Sequence, residues 1–308
     1  MKRAIVTGAT GFVGRQLVKQ LLHDQVPTVA VVRSGSSRIS LLPESDNLKI
    51  VPCAMDHYEH LPELIDDSQG STFFHLAWEG VYGPKRADIT TQLRCIAGSS
   101  AAVVAAAAMG CNVFVGLGSI MEKESVAVAE ADNATPGMGY IYGEAKHMAH
   151  LVTKAEAARL GIVHVWPVLT NPYGEGDDST RFINTTLKKI IHAEPLEFSA
   201  GTQRYDFIHI DDAVGGLIAV AERGKPFHSY MLGSGNAAPL RSFIEIIGQE
   251  TAPGRELIFG SVPYTGVQLD ESVFSIQALM ADTGFVPRIS FADGIRRTMK
   301  WLVQEEEK

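Results

Sequence analysis

The chain of 308 residues is 45% apolar and 20% charged, enough for a large core in one domain or two closely joined ones. A formal net charge of −8 excludes a general nucleic-acid surface and an anionic-membrane surface, both of which need a basic face. Three scattered cysteines, Cys53, Cys95 and Cys111, exclude a disulfide framework and have no metal-ligand spacing, so no metal site is expected and a reducing, cytoplasmic compartment fits.

Through the first half, apolar runs of strand length alternate with helix-length segments, the pattern of βαβ units wound into a parallel sheet. Strands are predicted at Ala4–Thr7, Thr28–Val32, Leu48–Cys53, Ser71–Ala77, Asn112–Leu117 and Ile162–Trp166. Between the first two, Phe12–His23 has helical spacing, with Leu17, Leu21 and Leu22 on one side and Arg15, Lys19 and Gln20 on the other. Longer helices are predicted over Arg86–Met109 and Tyr140–Arg159. No run reaches membrane-spanning length; the Ala-rich segment 99–109 is too short and reads as a buried helix. Beyond Trp166, Gly and Pro thicken, as in Asn171-Pro172-Tyr173-Gly174, and a smaller second region begins. There Tyr205–Ile210 reads as a strand, and Ala213–Glu222, Pro239–Glu250 and Phe291–Val303 as helices. The tail 305–308 reads as a solvated end.

The segment Gly8-Ala9-Thr10-Gly11-Phe12-Val13-Gly14 directly follows a strand and opens a helix. In that context the glycines permit a tight turn and let the backbone approach a pyrophosphate, whose charge sits at the helix N-terminus. The end of the second strand discriminates between dinucleotides: an acid there takes a ribose 2′-hydroxyl, an arginine a 2′-phosphate. Arg33 and Ser34 stand there, Arg38 follows, and there is no acid before Glu44, so NADP(H) is favoured and NAD(H) remains open.

Tyr142 and Lys146 are spaced i and i+4, neighbours on one helix face. A cation beside the phenol would favour phenolate and make Tyr142 an acid–base group near neutral pH. Ser119 is predicted to end the fifth strand, at the sheet edge where such folds bind ligands, and its hydroxyl could donate to a carbonyl oxygen gaining charge.

Together these residues resemble the extended short-chain dehydrogenase/reductase family, in its NAD-dependent epimerase/dehydratase, nucleotide-sugar branch, over nearly the whole chain. His75-Leu76-Ala77-Trp78 is similar to the family's fourth-strand segment, Asn171-Pro172-Tyr173-Gly174 to its Asn-x-Tyr-Gly loop, and Arg204 to Asp212 to its long late motif. The resemblance implies an α/β Rossmann fold: a doubly wound parallel sheet over 1–171 plus 205–233 that binds NAD(P), with a smaller mixed α/β substrate-binding region over 172–204 plus 234–308. It implies that Asp56 lies near the adenine, that Leu76 and Ala77 line the cofactor, and that Pro167 to Leu169 border the nicotinamide. Arg204 would grip a diphosphate, with Asn171 nearby, helped by Arg181; Trp78, Met121 and Tyr264 would face the sugar. In relatives the helices at 86–109 and 140–160 form a homodimer interface, which Ala101, Ala102, Ala105 and Ala106 would let pack closely.

Departures narrow the chemistry. Where dehydratases of this branch follow the serine or threonine with Asp-Glu, this chain has Ile120-Met121, and neither side chain performs acid–base work. Val168 replaces a usual arginine, Cys95 a helix asparagine, and the late loop reads Pro263-Tyr264-Thr265-Gly266 where a second phosphate arginine often stands. With Ser119, Tyr142 and Lys146 retained, the pattern resembles reductases of nucleotide-linked 4-keto-6-deoxyhexoses: NADPH would reduce the C4 carbonyl to a hydroxyl. The alternatives are a 4-epimerase with tightly bound NAD, a catalytically silent NADP-sensing regulator, and reduction of a carbonyl not linked to a nucleotide.

Overall fold

Residues 1–132, 137–264 and 266–307 are described by a computed structural model; Thr265 and the terminal Lys308, in segments noted above, lie outside the described residues. In chain order its strands are β1 (Ala4–Thr7), β2 (Thr28–Val32), β3 (Leu48–Pro52), β4 (Thr72–His75), β5 (Val113–Gly116), β6 (Gly118–Ser119), β7 (Val163–Leu169), β8 (Asn171–Tyr173), β9 (Glu197–Phe198), β10 (Arg204–Tyr205), β11 (Phe207–His209), β12 (Ser229–Leu232), β13 (Ala238–Pro239) and β14 (Ile258–Phe259). Its α-helices are α1 (Phe12–His23), α2 (Leu61–Leu64), α3 (Ile89–Ala108), α4 (Met121–Glu130), α5 (Ile141–Leu160), α6 (Phe182–Ile191), α7 (Ile210–Arg223), α8 (Leu240–Thr251), α9 (Gln277–Thr283) and α10 (Phe291–Glu306).

The main sheet is parallel, in the order β3-β2-β1-β4-β5-β7-β12, with β6 paired to β7. Every residue of β1, β2 and β4 is buried, as strands covered by helices on both faces must be. On one face Leu17 and Leu21 of α1 and Val214 and Leu217 of α7 pack on Val6 and Phe74. On the other, Ala102, Val103 and Ala106 of α3 pack on Phe73, Phe114 and Tyr58. Each fully buried Leu or Phe contributes about 1.5–3 kcal/mol. The winding reverses between β1 and β4, so a crevice opens outside their carboxyl ends. A third core, with Tyr173, Leu187, Phe243, Ile295 and Leu302, gathers α6, α8 and α10. Among the described residues no helix is long and apolar enough to cross a membrane.

Several elements depart from the sequence reading. The predicted helix from Arg86 starts only at Ile89, because Asp88 caps it by accepting the Thr91 N–H at 2.9 Å. The strand predicted over Tyr205–Ile210 breaks at Asp206, whose buried carboxylate accepts N–H groups of Ser234 (2.9 Å) and Gly235 (3.1 Å). Ser119 does not end the fifth strand. That strand stops at Gly116, and Gly118–Ser119 pairs instead with Val168 and Leu169 of β7. Trp166 lines the crossing: a Cβ on Gly116 or Gly118 would lie 2.2 or 2.3 Å from its indole, so the chain passes the ring only as glycine.

β7 itself runs through Pro167 to Leu169, past the predicted end at Trp166. Proline is tolerated because its nitrogen faces a gap. The Trp166 N–H points to His228 on the β12 side (3.1 Å), so the next nitrogen faces the other way. On that side β5 pairs only to Val165 and β6 takes over at Val168.

Candidate active site

The glycine turn closes as its spacing predicts. Gly8 has φ +68°, and a Cβ there would lie 2.6 Å from the Ala77 nitrogen and 2.7 Å from the Leu76 carbonyl carbon. A Cβ on Gly14 would lie 2.1 Å from the Gly8 oxygen, while the Gly11 N–H donates to that oxygen at 2.9 Å. Bare backbone thus packs against bare backbone, bringing Leu76 and Ala77 to the turn. Gly11 caps α1 without a side chain, and Thr10, Phe12 and Val13 surround that end. This cradle, which a single methyl would fill, fits a dinucleotide pyrophosphate. Beneath it His75 bonds Thr7 and Ser99, both at 2.9 Å, and burial pushes it down to about 3, so it is a neutral structural group.

Arg33 and Ser34 are exposed after β2, and the Arg33 side chain has no hydrogen bond or ion pair among the described residues. Arg38, expected beside it, is held by Asp178 at 2.5 Å, and Asp56 by Arg94 at 2.7 Å.

Ser119, Tyr142 and Lys146 converge past the carboxyl ends of β5 and β7. Tyr142 is buried; burial raises its pKa, partly offset by the influence of the Ser119 hydroxyl. The cation over its ring is Arg86, 5.2 Å from the centroid, and Trp78 meets the same ring edge-on at 6.1 Å. Here the expected lysine effect is corrected. The Lys146 ammonium donates to the Leu117 carbonyl at 2.8 Å and lies 3.9 Å over the Trp78 ring, and Tyr142 stays above its ordinary value. Burial brings Lys146 down to about 8. Leu117 thus holds the lysine directly. Cys95 is a buried thiol accepting the Glu79 N–H at 3.3 Å, and burial pushes it up.

Leu169 pairs in register with Ser119, and Pro167 lies two residues earlier on the same strand. Met121 opens α4, its carbonyl so close to α5 that a Cβ on Gly143 would lie 2.3 Å from it. Arg181 donates to the Pro172 carbonyl at 3.1 Å, covers the Phe12 ring at 5.7 Å and acts electrostatically on Tyr142. Asn171 is committed to the Asp206 carbonyl at 3.0 Å. Arg204 forms an ion pair with Glu271 at 3.0 Å, and Tyr264 donates to the Val267 carbonyl at 2.8 Å.

The sequence reading missed part of this cleft. Arg86, Glu124 and Tyr140 act on Tyr205, and Tyr205, Glu124 and Tyr140 on Tyr264; burial raises the Glu124 carboxyl and pushes Tyr205 up to about 12. Glu122 was missed too, although a signal was present. Ser119-x-x-Glu122 has the spacing of a capping box, and its reach-back half forms: Glu122 accepts the Ser119 N–H at 2.7 Å, while the Ser119 hydroxyl accepts the Met121 N–H at 3.3 Å.

The profile of the NAD dependent epimerase/dehydratase family matches residues 4–233. The dTDP-4-dehydro-6-deoxyglucose reductase of Escherichia coli is 23% identical, over 96% of this chain and 96% of its own. The CDP-abequose synthase of Salmonella typhimurium is 25% identical, over 97% of each. Among solved structures, the UDP-glucuronic acid 4-epimerase of Bacillus cereus in complex with NAD superposes with a TM-score of 0.77, at 18% identity over 98% of this chain and 99% of its own.

Proposed function

The chain belongs to the NAD dependent epimerase/dehydratase family, and from that premise we propose that it reduces the C4 carbonyl of a nucleotide-linked 4-keto-6-deoxyhexose, with NADPH as reductant. The observation that carries this reading is the state of Tyr142: buried, with Arg86 over its ring and its pKa raised above the ordinary value, the phenol keeps its proton. A reduction consumes a proton, and a held phenol is suited to give it. The names of two relatives, a 4-dehydro-6-deoxyglucose reductase and an abequose synthase, support the same class of substrate.

When bound, the dinucleotide supplies the hydride; the rest is the work of this chain. Ser119 and Tyr142 donate hydrogen bonds to the carbonyl oxygen, and the Tyr142 proton passes to that oxygen as the carbon becomes a secondary alcohol. Lys146 holds positive charge beneath the reacting groups. Arg86 and Arg181 are the guanidiniums whose fields reach Tyr142, and Arg204, once released from Glu271, is suited to a diphosphate. Ile120 and Met121 give no acid for expelling water. Arg33, unpaired beside the second strand, supports NADP(H).

A second reading, 4-epimerisation with retained NAD, draws on Arg38, which Asp178 occupies, leaving Arg33 as the one unpaired arginine of the two for a 2′-phosphate. Residues 172–204 and 234–308 are assigned to sugar-nucleotide binding. Exposed Leu93, Met148 and Leu151, with Ile89, support pairing of two copies through α3 and α5. The test incubates the protein with NADPH and a panel of nucleotide-linked 4-keto-6-deoxy sugars, following nicotinamide absorbance. Consumption with at least one is expected; none with any refutes the reduction, and a cofactor retained through purification favours the epimerase.

A further inference from the structure

Glu122 is more deeply enclosed than a helix cap requires, at 2% exposure. One of its carboxylate oxygens accepts the Ser119 N–H, and both lie within 3.3 Å of the Trp166 indole nitrogen. Trp166 ends a row of stacked rings: Phe73 on Phe114 (5.7 Å), Phe114 on His164 (5.8 Å), His164 on His150 (5.9 Å) and His150 on Trp166 (4.8 Å). This row carries no cation at neutral pH, since burial brings His150 down to about 4 and His164 to about 3. The approach of His150 to Glu122, 3.8 Å, is therefore not an ion pair.

Lys146 presents the opposite problem. It is buried, and its direct partners, the Leu117 carbonyl and the Trp78 ring, are neutral. A lone buried charge is costly unless an opposite charge shares the same low-dielectric region. Glu122 is the carboxylate whose field acts on Lys146. Burial raises the Glu122 carboxyl above its ordinary value, and the N–H donors of Ser119 and Trp166 and the charge on Lys146 pull it back toward the ionised form.

We propose that Glu122 is a positioning residue that pins the turn carrying Ser119 and supplies the buried negative charge balancing Lys146. This rests on the reading of Ser119, Tyr142 and Lys146 as the reacting set. The titratable groups around Glu122 are Tyr142, Lys146, His147 and His150 from α5, Lys123 and Glu124 on its own helix, and His164 behind Trp166 on β7; Cys95 of α3 also faces Lys146. Removing the charge acts on Tyr142 and Lys146 in one direction, because Glu122 raises the pKa of both.

The test compares wild type with Glu122→Gln, which keeps an acceptor for Ser119 and Trp166 but not the charge. The full-length protein, labelled with carbon-13 at the lysine side chains, is titrated by NMR, with Lys146→Met assigning the signal. The Lys146 midpoint is expected to fall in Glu122→Gln. With a turned-over nucleotide sugar, the alkaline limb of kcat/KM moves to lower pH and the rate falls roughly 10–100-fold, as when an outer partner of a reacting group is lost. An unchanged midpoint overturns the proposal. If wild type reduces no such sugar, the assigned reaction fails while the lysine titration still judges Glu122. Should Glu122→Gln not fold, wild type labelled with carbon-13 at the glutamate carboxyls is titrated instead: the Glu122 carboxyl must be ionised where Lys146 loses its proton, and a carboxyl still protonated there overturns the proposal equally.

Discussion

Replacing Gly8 with alanine tests whether the turn is shaped for close backbone approach or is merely tight. Two penalties add. A left-handed conformation, φ +68° here, costs an L-residue about 1–2 kcal/mol. The new methyl would also sit 2.6 Å from the Ala77 nitrogen and 2.7 Å from the Leu76 carbonyl carbon, backbone atoms that cannot rotate aside. Overpacking of that kind costs typically about 1–3 kcal/mol, so Gly8→Ala should lose roughly 2–5 kcal/mol in total. The control is Gly254→Ala: φ is +85° but nothing lies within 4 Å of the added methyl, so only the conformational cost remains. Urea denaturation followed by tryptophan fluorescence measures both, and titration with NADPH measures cofactor affinity. Gly8→Ala should be the less stable by roughly 1–3 kcal/mol and should alone lose cofactor binding. Equal destabilisation of the two variants, with cofactor affinity intact in both, would refute the argument that this turn is built around contact with Leu76 and Ala77.

Tyr142→Phe should lower kcat by roughly 10²–10⁴-fold while leaving cofactor affinity near wild type, measured by steady-state rates and nicotinamide titration; a modest loss would remove the phenol from the proton path. Glu271→Gln releases Arg204 from an exposed pair of about 0.2–1 kcal/mol, so KM for the sugar nucleotide should fall by up to about five-fold, and a KM that rises contradicts the diphosphate role. Lys146 gives a pH signature in stability. Its folded pKa, about 8, lies below the ordinary lysine value, so between the two the unfolded chain binds a proton that the folded chain does not. Wild-type stability relative to Lys146→Met should therefore climb as pH rises from 8, and urea denaturation showing a decline would contradict the burial argument.

The sheet was legible because parallel strands covered on both faces are unbroken apolar runs, and because Gly8, Gly11 and Gly14 mark the first turn. Phe12–His23 matches its sequence pattern at both ends. α4 was not legible: its buried residues are Glu122, Ser125 and Val128, two of them polar, so no apolar stripe announces it. The same fact hid Glu122, since Ile120-Met121 drew attention to missing acids one step before a present one. Nor could spacing reveal that Arg86 lies over Tyr142 or that Glu271 holds Arg204. Those contacts join segments distant in sequence, and tertiary packing alone brings them together.

Pro167 carries a consequence for the floor of the cleft. The β5–β7 ladder advances two residues at a time from the Val163 N–H on the Asn112 carbonyl, so the nitrogen of residue 167 belongs opposite the Gly116 carbonyl. A proline has no hydrogen to give. The sheet is therefore unzipped at that rung, and Ser119 rides on β7 through the Gly118–Val168 and Ser119–Leu169 pairs rather than on the strand that precedes it. Any other residue at 167 would bring a backbone donor opposite the Gly116 carbonyl and let that rung close, holding the chain against β5 at the point where it now crosses to β7. The silent nitrogen keeps the break open, and with it the crossing that sets Ser119 beside Leu169.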